Sequence, residues 1–299
     1  MPAIVGILFL IIYLLVLNLV PGLKAPSQKT FVNIPNHFIP AATLEQMKPR
    51  LKAGSAVVFD TKSGARVFDY NGEQVRPIAS LTKLMTALVF LDHNPGWDKT
   101  VVIATEDLRG GAKANIFVGD RIKVNDLFTA GLIASDNSAI AALVRSTGLK
   151  EEEFVAQMNL KVKELRMSNA HFADPTGLNP DNKATAVGVA KLAERALANQ
   201  EITNALKIYT FRFKVSESVD REVTSTNQLL GRIFKKSVLI AGKTGHLNEA
   251  GYCFAGSFKS GQRQFITVVL GAPEDSQRFS ETLDILDWTL GAYLWDNSK

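Results

Sequence analysis

This 299-residue sequence contains a single cysteine, Cys253, so no intrachain disulfide can form. The thiol sits in the apolar "GYCFAG" and reads as a buried core group rather than a reactive one. Histidine is scarce as well. His37, His93, His171 and His246 are dispersed, and no H-x-x-H or H-x-x-x-H spacing occurs, so neither a metal site nor a cofactor is expected. Although the net charge is +5 and the pI about 9.2, there is no long basic run, so nucleic acid is not an expected partner. Internal repeats and low-complexity segments are also lacking. No lysine or arginine precedes Lys24. That argues against a cleaved signal peptide, which carries a basic n-region.

The clearest organisational feature is the uncharged run at residues 4–23, "IVGILFLIIYLLVLNLVPGL". At 1.5 Å per residue a helix of this length spans about 30 Å, one bilayer core. The expected domain plan is therefore a membrane anchor over residues 1–23, a Pro-containing linker over 24–42, and a globular domain over 43–299. Lys24 and Lys29 follow the span, and the positive-inside rule would put the domain in the cytoplasm. Long domains translocate despite such charges.

In the globular part, residues 56–60 and 66–70 flank a turn at 62–64 and read as a hairpin. Helical patterns occupy 124–133, 138–146, 151–165 and 186–198, and dominate to about residue 206. Strands return at 211–215, 237–241, 253–259 and 264–270, and a last helix covers 276–295. Strands at both ends with helices between them predict an α/β (α+β) fold: an antiparallel sheet flanked by helices, with an inserted all-helical lobe.

"PIASLTKLMTALVFLD", residues 77–92, reads as one helix that is apolar on nearly every side, hence buried. Yet it carries Lys83, with Ser80 three residues before it on the same face. A lysine in such a place loses affinity for its proton, and beside a serine at a helix start it makes a nucleophile–base couple. An N-capping serine with a snorkelling lysine is the alternative, since S-x-x-K turns up roughly once in a chain this long. Two further motifs follow in order, Ser135-Asp136-Asn137 in "ASDNSA" and Lys243-Thr244-Gly245 in "LIAGKTGHLNEAG". The coincidence of all three is about one in a thousand by composition.

The ordered triple S-x-x-K, S-x-N, K-T-G is the pattern of serine penicillin-binding proteins and class A β-lactamases. With "GGAKANIFVGD" and "HFADPTGL" added, the sequence from about residue 54 to 295 resembles the D-alanyl-D-alanine carboxypeptidases, the low-molecular-mass penicillin-binding proteins. The resemblance implies a DD-peptidase/β-lactamase-like fold with the site between sheet and helical lobe. It implies a serine carboxypeptidase acting on the D-Ala-D-Ala end of peptidoglycan stem peptides through an acyl-enzyme, and binding of β-lactams.

On this resemblance Ser80 is the nucleophile and Lys83 its base, with a pKa depressed by desolvation and by Lys243. Ser135 relays a proton to the leaving amine. Asn137 holds Lys83 and meets the substrate amide, while Asp136 is structural. Lys243 and Thr244 face the terminal carboxylate from a strand edge. Gly245 leaves room for the substrate backbone. The backbone amides of Ser80 and His246 form the oxyanion hole, with His246 as general base the lesser alternative. Arg278 is either a second cation for the carboxylate or a solvated first-turn arginine.

The sequence departs from relatives in two ways. Carboxypeptidases with a second β-rich domain and a C-terminal amphipathic anchor have more chain after the last helix, so neither is expected here, and the N-terminal span takes the anchor's place. No E-x-x-L-N segment supplies the deacylating glutamate of class A β-lactamases. The corresponding "DPTGLNPDN" begins with Asp174, expected to shape a turn before Pro175. A β-lactamase or esterase is thus an alternative behind the peptidase, alongside a DD-endopeptidase and, last, a non-catalytic wall-binding module. The expected location is the cell membrane, single-pass, with the catalytic domain outside.

Overall fold

The computed structural model describes residues 47–111 and 115–293. The anchor, the linker, the first residues of the expected domain and the end of the last helix at Trp295 lie outside the described residues.

The first hairpin is β1 (Ser55–Asp60) and β2 (Ala65–Tyr70), as its turn predicts. Asp60 closes it by accepting from the Ser63 hydroxyl at 2.6 Å and, from across the sheet, from Arg263 Nη1 at 2.6 Å. After the two-residue β3 (Arg76–Pro77) comes a 3₁₀ turn, Ala79–Leu81, and then α1 (Thr82–Asp92). The helix expected from residue 77 therefore starts later. Ala79 lies at φ +48°, a left-handed conformation no helix accommodates, and this breaks the run.

The inserted lobe follows, and it is not all-helical as expected, because short strand pairs brace its helices. It holds the pair β4 (Thr100–Val102) and β5 (Arg121–Lys123), then α2 (Val124–Ile133), α3 (Asn137–Ser146) and α4 (Glu151–Glu164). Next come β6 (Lys183–Ala184), α5 (Ala186–Leu197) and α6 (Gln200–Leu206). A second hairpin joins β7 (Thr210–Lys214) to β8 (Asp220–Thr224). Its second strand is poorly legible in sequence, because Val223 is its only apolar residue. The chain ends in β9 (Val238–Leu247), β10 (Gly251–Ser260), β11 (Arg263–Ala272) and α7 (Asp275–Ala292).

The main sheet is antiparallel, in the order β2-β1-β11-β10-β9. Both ends of the domain build it, as the element order predicts. Period-2 alternation sends successive side chains to opposite faces. Val57, Cys253 and Ala255 join the core shared with the helical lobe, while Val58, Phe254 and Phe258 join the one under α7. Cys253 is the buried core thiol expected, its pKa pushed up to about 11 by burial. Buried on both faces, β1 is central, whereas β9 is left as an edge.

Candidate active site

Ser80 sits in the 3₁₀ turn before α1, held from two sides by glycines. Gly177 is at φ +86°, and a Cβ there would lie 2.2 Å from the Ala79 carbonyl oxygen. A Cβ on Gly245 of β9 would lie 2.9 Å from the Ile78 oxygen and 3.2 Å from the Ser80 nitrogen. Gly245 was expected to admit a substrate backbone. The group that its missing side chain admits is the Ser80 turn itself, which brings the edge of β9 against the serine.

One turn on, Lys83 is fully buried. Its Nζ lies 2.9 Å from Ser80 Oγ, 2.7 Å from Asn137 Oδ1 and 2.6 Å from the Thr176 carbonyl oxygen. Desolvation lowers its pKa from 10.5 to about 7, against the opposing pull of Asp174 and then Asp136. Two of the three neighbours are carbonyl oxygens, which only accept. A neutral amine therefore spends its two N–H groups on Asn137 and Thr176, and its lone pair points at the Ser80 hydroxyl.

Thr176 belongs to "DPTGLNPDN", and its role was not legible in the sequence. The Asp174 carboxylate accepts from the Thr176 and Gly177 amides, the Thr176 hydroxyl and the Asn179 amide. It shapes the turn as expected, and the turn aims the Thr176 carbonyl at Lys83.

Between α2 and α3 the chain turns sharply. Ser135 is at φ +58°, a conformation costing on the order of 1 kcal/mol or more for a residue with a Cβ. Asp136 is buried and caps α3 by accepting from the Ala139 amide at 2.9 Å, with Asn115 Nδ2 also at 2.9 Å. The cap is thus Asp136, which leaves the Ser135 hydroxyl for other partners. Asn137 donates from Nδ2 to the Gly110 carbonyl at 2.8 Å, which orients its oxygen toward Lys83.

On β9, Lys243 is buried and donates to Ser135 Oγ at 3.0 Å and to the Thr244 carbonyl at 2.9 Å. Burial, then Lys83, then Arg278 push its pKa well below 10.5. The repulsion expected to bear on Lys83 thus bears on Lys243, since carboxylates near Lys83 oppose it there. The Thr244 hydroxyl shares a hydrogen bond with that of Thr226, whose amide donates to the Ile133 carbonyl at 3.0 Å. This tie between sheet and lobe had no sequence signal. His246 is exposed and stacks on Tyr252 with ring centroids 4.0 Å apart. Arg278 is only 6 % exposed, so the solvated reading fails. It donates to the Gly245 carbonyl at 2.9 Å, pairs with Asp275 and lies over Tyr252.

Ser80, Ser135, Asn137, Thr244, Gly245, His246 and Arg278 line one cleft of about 400 Å³, with Lys83 and Lys243 buried behind it. A larger cleft of about 1140 Å³ lies toward the turn of the β7–β8 hairpin and contains none of these residues.

A serine bonded to a buried lysine, between a helical lobe and the edge of an antiparallel sheet, defines a serine acyl-transferring site of the DD-peptidase type. Residues 42–274 match the family model described as D-alanyl-D-alanine carboxypeptidase, and the chain belongs to that family. It is 30% identical over 271 residues to D-alanyl-D-alanine carboxypeptidase DacF of Bacillus subtilis, covering 86% of this chain and 68% of that one. It is 31% identical over 249 residues to a D-alanyl-D-alanine endopeptidase of Pseudomonas aeruginosa, covering 81% and 78%. The fold is similar to that of penicillin-binding protein D2 from Listeria monocytogenes in its cefotaxime-bound form. There the TM-score is 0.71 at 29% identity, over 81% of this chain and 99% of that one.

Proposed function

We propose that this chain is a serine D-Ala-D-Ala carboxypeptidase that trims peptidoglycan stem peptides through an acyl-enzyme on Ser80. The observation that carries the reading is the environment of Lys83 Nζ. Two carbonyl acceptors and a pKa near 7 leave a lone pair on the serine hydroxyl at neutral pH.

Ser80 Oγ attacks the carbonyl between the two D-alanines as its proton passes to Lys83. Charge gathers on the carbonyl oxygen, which the amides of Ser80 and His246 receive. The C–N bond breaks, the departing amine takes a proton through Ser135, and D-alanine leaves. Water then cleaves the ester, regenerating Ser80 and releasing the shortened stem. The substrate lies along the free edge of β9 as an added strand. Its carboxylate meets Thr244 and Lys243, and an anion docking there raises the pKa of Lys243 again. Arg278 props the strand through the Gly245 carbonyl and adds positive field from behind.

An endopeptidase cutting cross-links is the second reading, favoured by the Pseudomonas relative's name. The β-lactamase reading is weaker. The loop beside Lys83 offers it a carbonyl, and the Asp174 carboxylate in that loop is spent on its own turn.

The test is to incubate the full-length protein with an uncross-linked stem pentapeptide and with a cross-linked dimer, alongside Ser80→Ala. Release of D-alanine from the pentapeptide and β-lactam labelling lost in the variant are expected. Cleavage of the dimer alone would favour the endopeptidase. An acyl group found by mass spectrometry on another serine would overturn the assignment. We place the protein in the membrane as a single-pass protein with residues from Lys24 onward outside, a reading supported by the uncharged run at residues 4–23 and by a substrate that lies beyond the membrane. Protease added to intact spheroplasts should release the domain, and full protection would place it inside.

A further inference from the structure

The β7–β8 hairpin walls two cavities. Its second strand lines the site cleft through Glu222, Val223 and Thr224. Its first strand, its turn and Asp220 at the start of the second strand line the cleft of about 1140 Å³, which Trp97 and the start of α2 also line.

Three properties restrict what the larger cleft takes. Its lining carries five acidic and four basic side chains, and some pair with each other, Lys123 with Asp98 at 2.9 Å and Lys214 with Asp220 at 3.8 Å. Such a balance builds no net field to gather a polyanion or polycation. The volume exceeds that of a typical small-molecule pocket, about 300–1,000 Å³, and suits a segment of polymer. The third property is chemical. Half-buried Trp97 is backed by Phe90 and Phe128, with centroids 5.8 and 5.3 Å away. Arg121, Asp126 and Glu201 line the same cleft, and no side-chain hydrogen bond or ion pair engages them among the described residues. The Asn125 amide donates to the Trp97 carbonyl at 3.1 Å, which ties the start of α2 to the tryptophan. Asp126 is half-buried, and desolvation raises its pKa despite Lys123 nearby.

An aromatic ring in one cleft with planar polar groups that no side-chain hydrogen bond occupies complements a pyranose, which has an apolar C–H face and a rim of hydroxyls that donate and accept. We infer that the cleft between Trp97 and the β7–β8 hairpin binds the uncharged glycan strand from which the stem peptide hangs, as a second subsite for the polymer. The shared hairpin supplies the continuity: the sugar lies toward its turn and the peptide crosses to the cleft at its Thr224 end. This inference rests on the peptidase reading for its substrate, but the binding itself is measured separately.

The full-length protein is titrated with stripped glycan, that is, strands freed of their peptides with the exposed carboxylates capped as amides so that the probe stays uncharged, alongside Ser80→Ala and the double variant Arg121→Ala/Asp126→Asn. Ser80→Ala should bind as the parent does. The double variant should bind roughly tenfold more weakly, the size of one or two net hydrogen bonds. On intact wall polymer its KM should rise by about the same factor. Turnover of a short D-Ala-D-Ala peptide should stay unchanged, which also reports that it is folded. Glu201→Gln, on α6, gives an independent probe if the double variant is unstable. Stripped glycan that fails to bind the parent, or binds the variants equally well, overturns the inference. So does an equal loss on polymer and short peptide. Absence of D-alanine release by the parent from either substrate would sink the peptidase reading, while the stripped-glycan titration would still decide the cleft.

Discussion

The acylation rate should depend on pH through Lys83. Its Nζ faces Ser80 Oγ at 2.9 Å, and only the unprotonated amine can take the hydroxyl proton. With a pKa of about 7, roughly half of the molecules are competent at pH 7 and about one in a hundred at pH 5, so acylation should fall about fiftyfold between them. An ordinary lysine, near pKa 10.4, would still be gaining rate at pH 9. The assay is the second-order acylation rate constant at limiting penicillin, which reports the free protein, from pH 5 to 9, followed by intact mass. Lys83 and Lys243 share the pocket, so the apparent value belongs to the pair. The profile is therefore repeated on two variants. Lys243→Ala should acylate more slowly yet keep the limb. Lys83→Arg cannot deprotonate near neutrality and should lose the limb together with about 10²–10⁴ in rate. A rate independent of pH over this range, or near-normal labelling of Lys83→Arg, would refute the argument that the buried lysine is the base.

Further outcomes follow from the same packing. Gly245→Ala puts a Cβ 2.9 Å from the Ile78 oxygen, so it should cost about 1–3 kcal/mol and slow acylation as the Ser80 turn shifts. Unchanged melting temperature and unchanged labelling would show that the turn has slack. Burial of Lys83 also links stability to pH. The folded pKa of about 7 lies below the unfolded 10.5, so the unfolded chain binds more protons between those values and stability rises with pH across that window. The gain is on the order of 5 kcal/mol at most. In chemical denaturation, the advantage of Lys83→Met over the parent should shrink from pH 7 to 10, and a constant difference would count against the buried, depressed lysine.

Much of this site was legible because parts of it are local. Three residues of helical spacing place Ser80 and Lys83 on one face, and apolar residues all round them announce burial, and with it a lowered pKa. The short apolar runs of β1, β10 and β11 marked them as strands, but being apolar on both faces they did not tell which side chains enter which core. The three motifs named the residue types that the cleft gathers. Other features were decided only by tertiary structure. The partners of Lys83 at Asn137 and Thr176 lie 54 and 93 residues away, and Ser135 lies 108 from Lys243. No periodicity encodes which distant acceptor a buried amine will meet. The left-handed Ala79 and Ser135, and the glycines that clamp the Ser80 turn, exist because neighbouring elements press on those backbones. Side-chain pattern within an element follows from the local geometry of the helix or strand, so sequence alone carries it. The direction of a lone pair, the proton affinity of an amine and the room for a missing Cβ depend on atoms from remote segments, and only the folded chain brings those together.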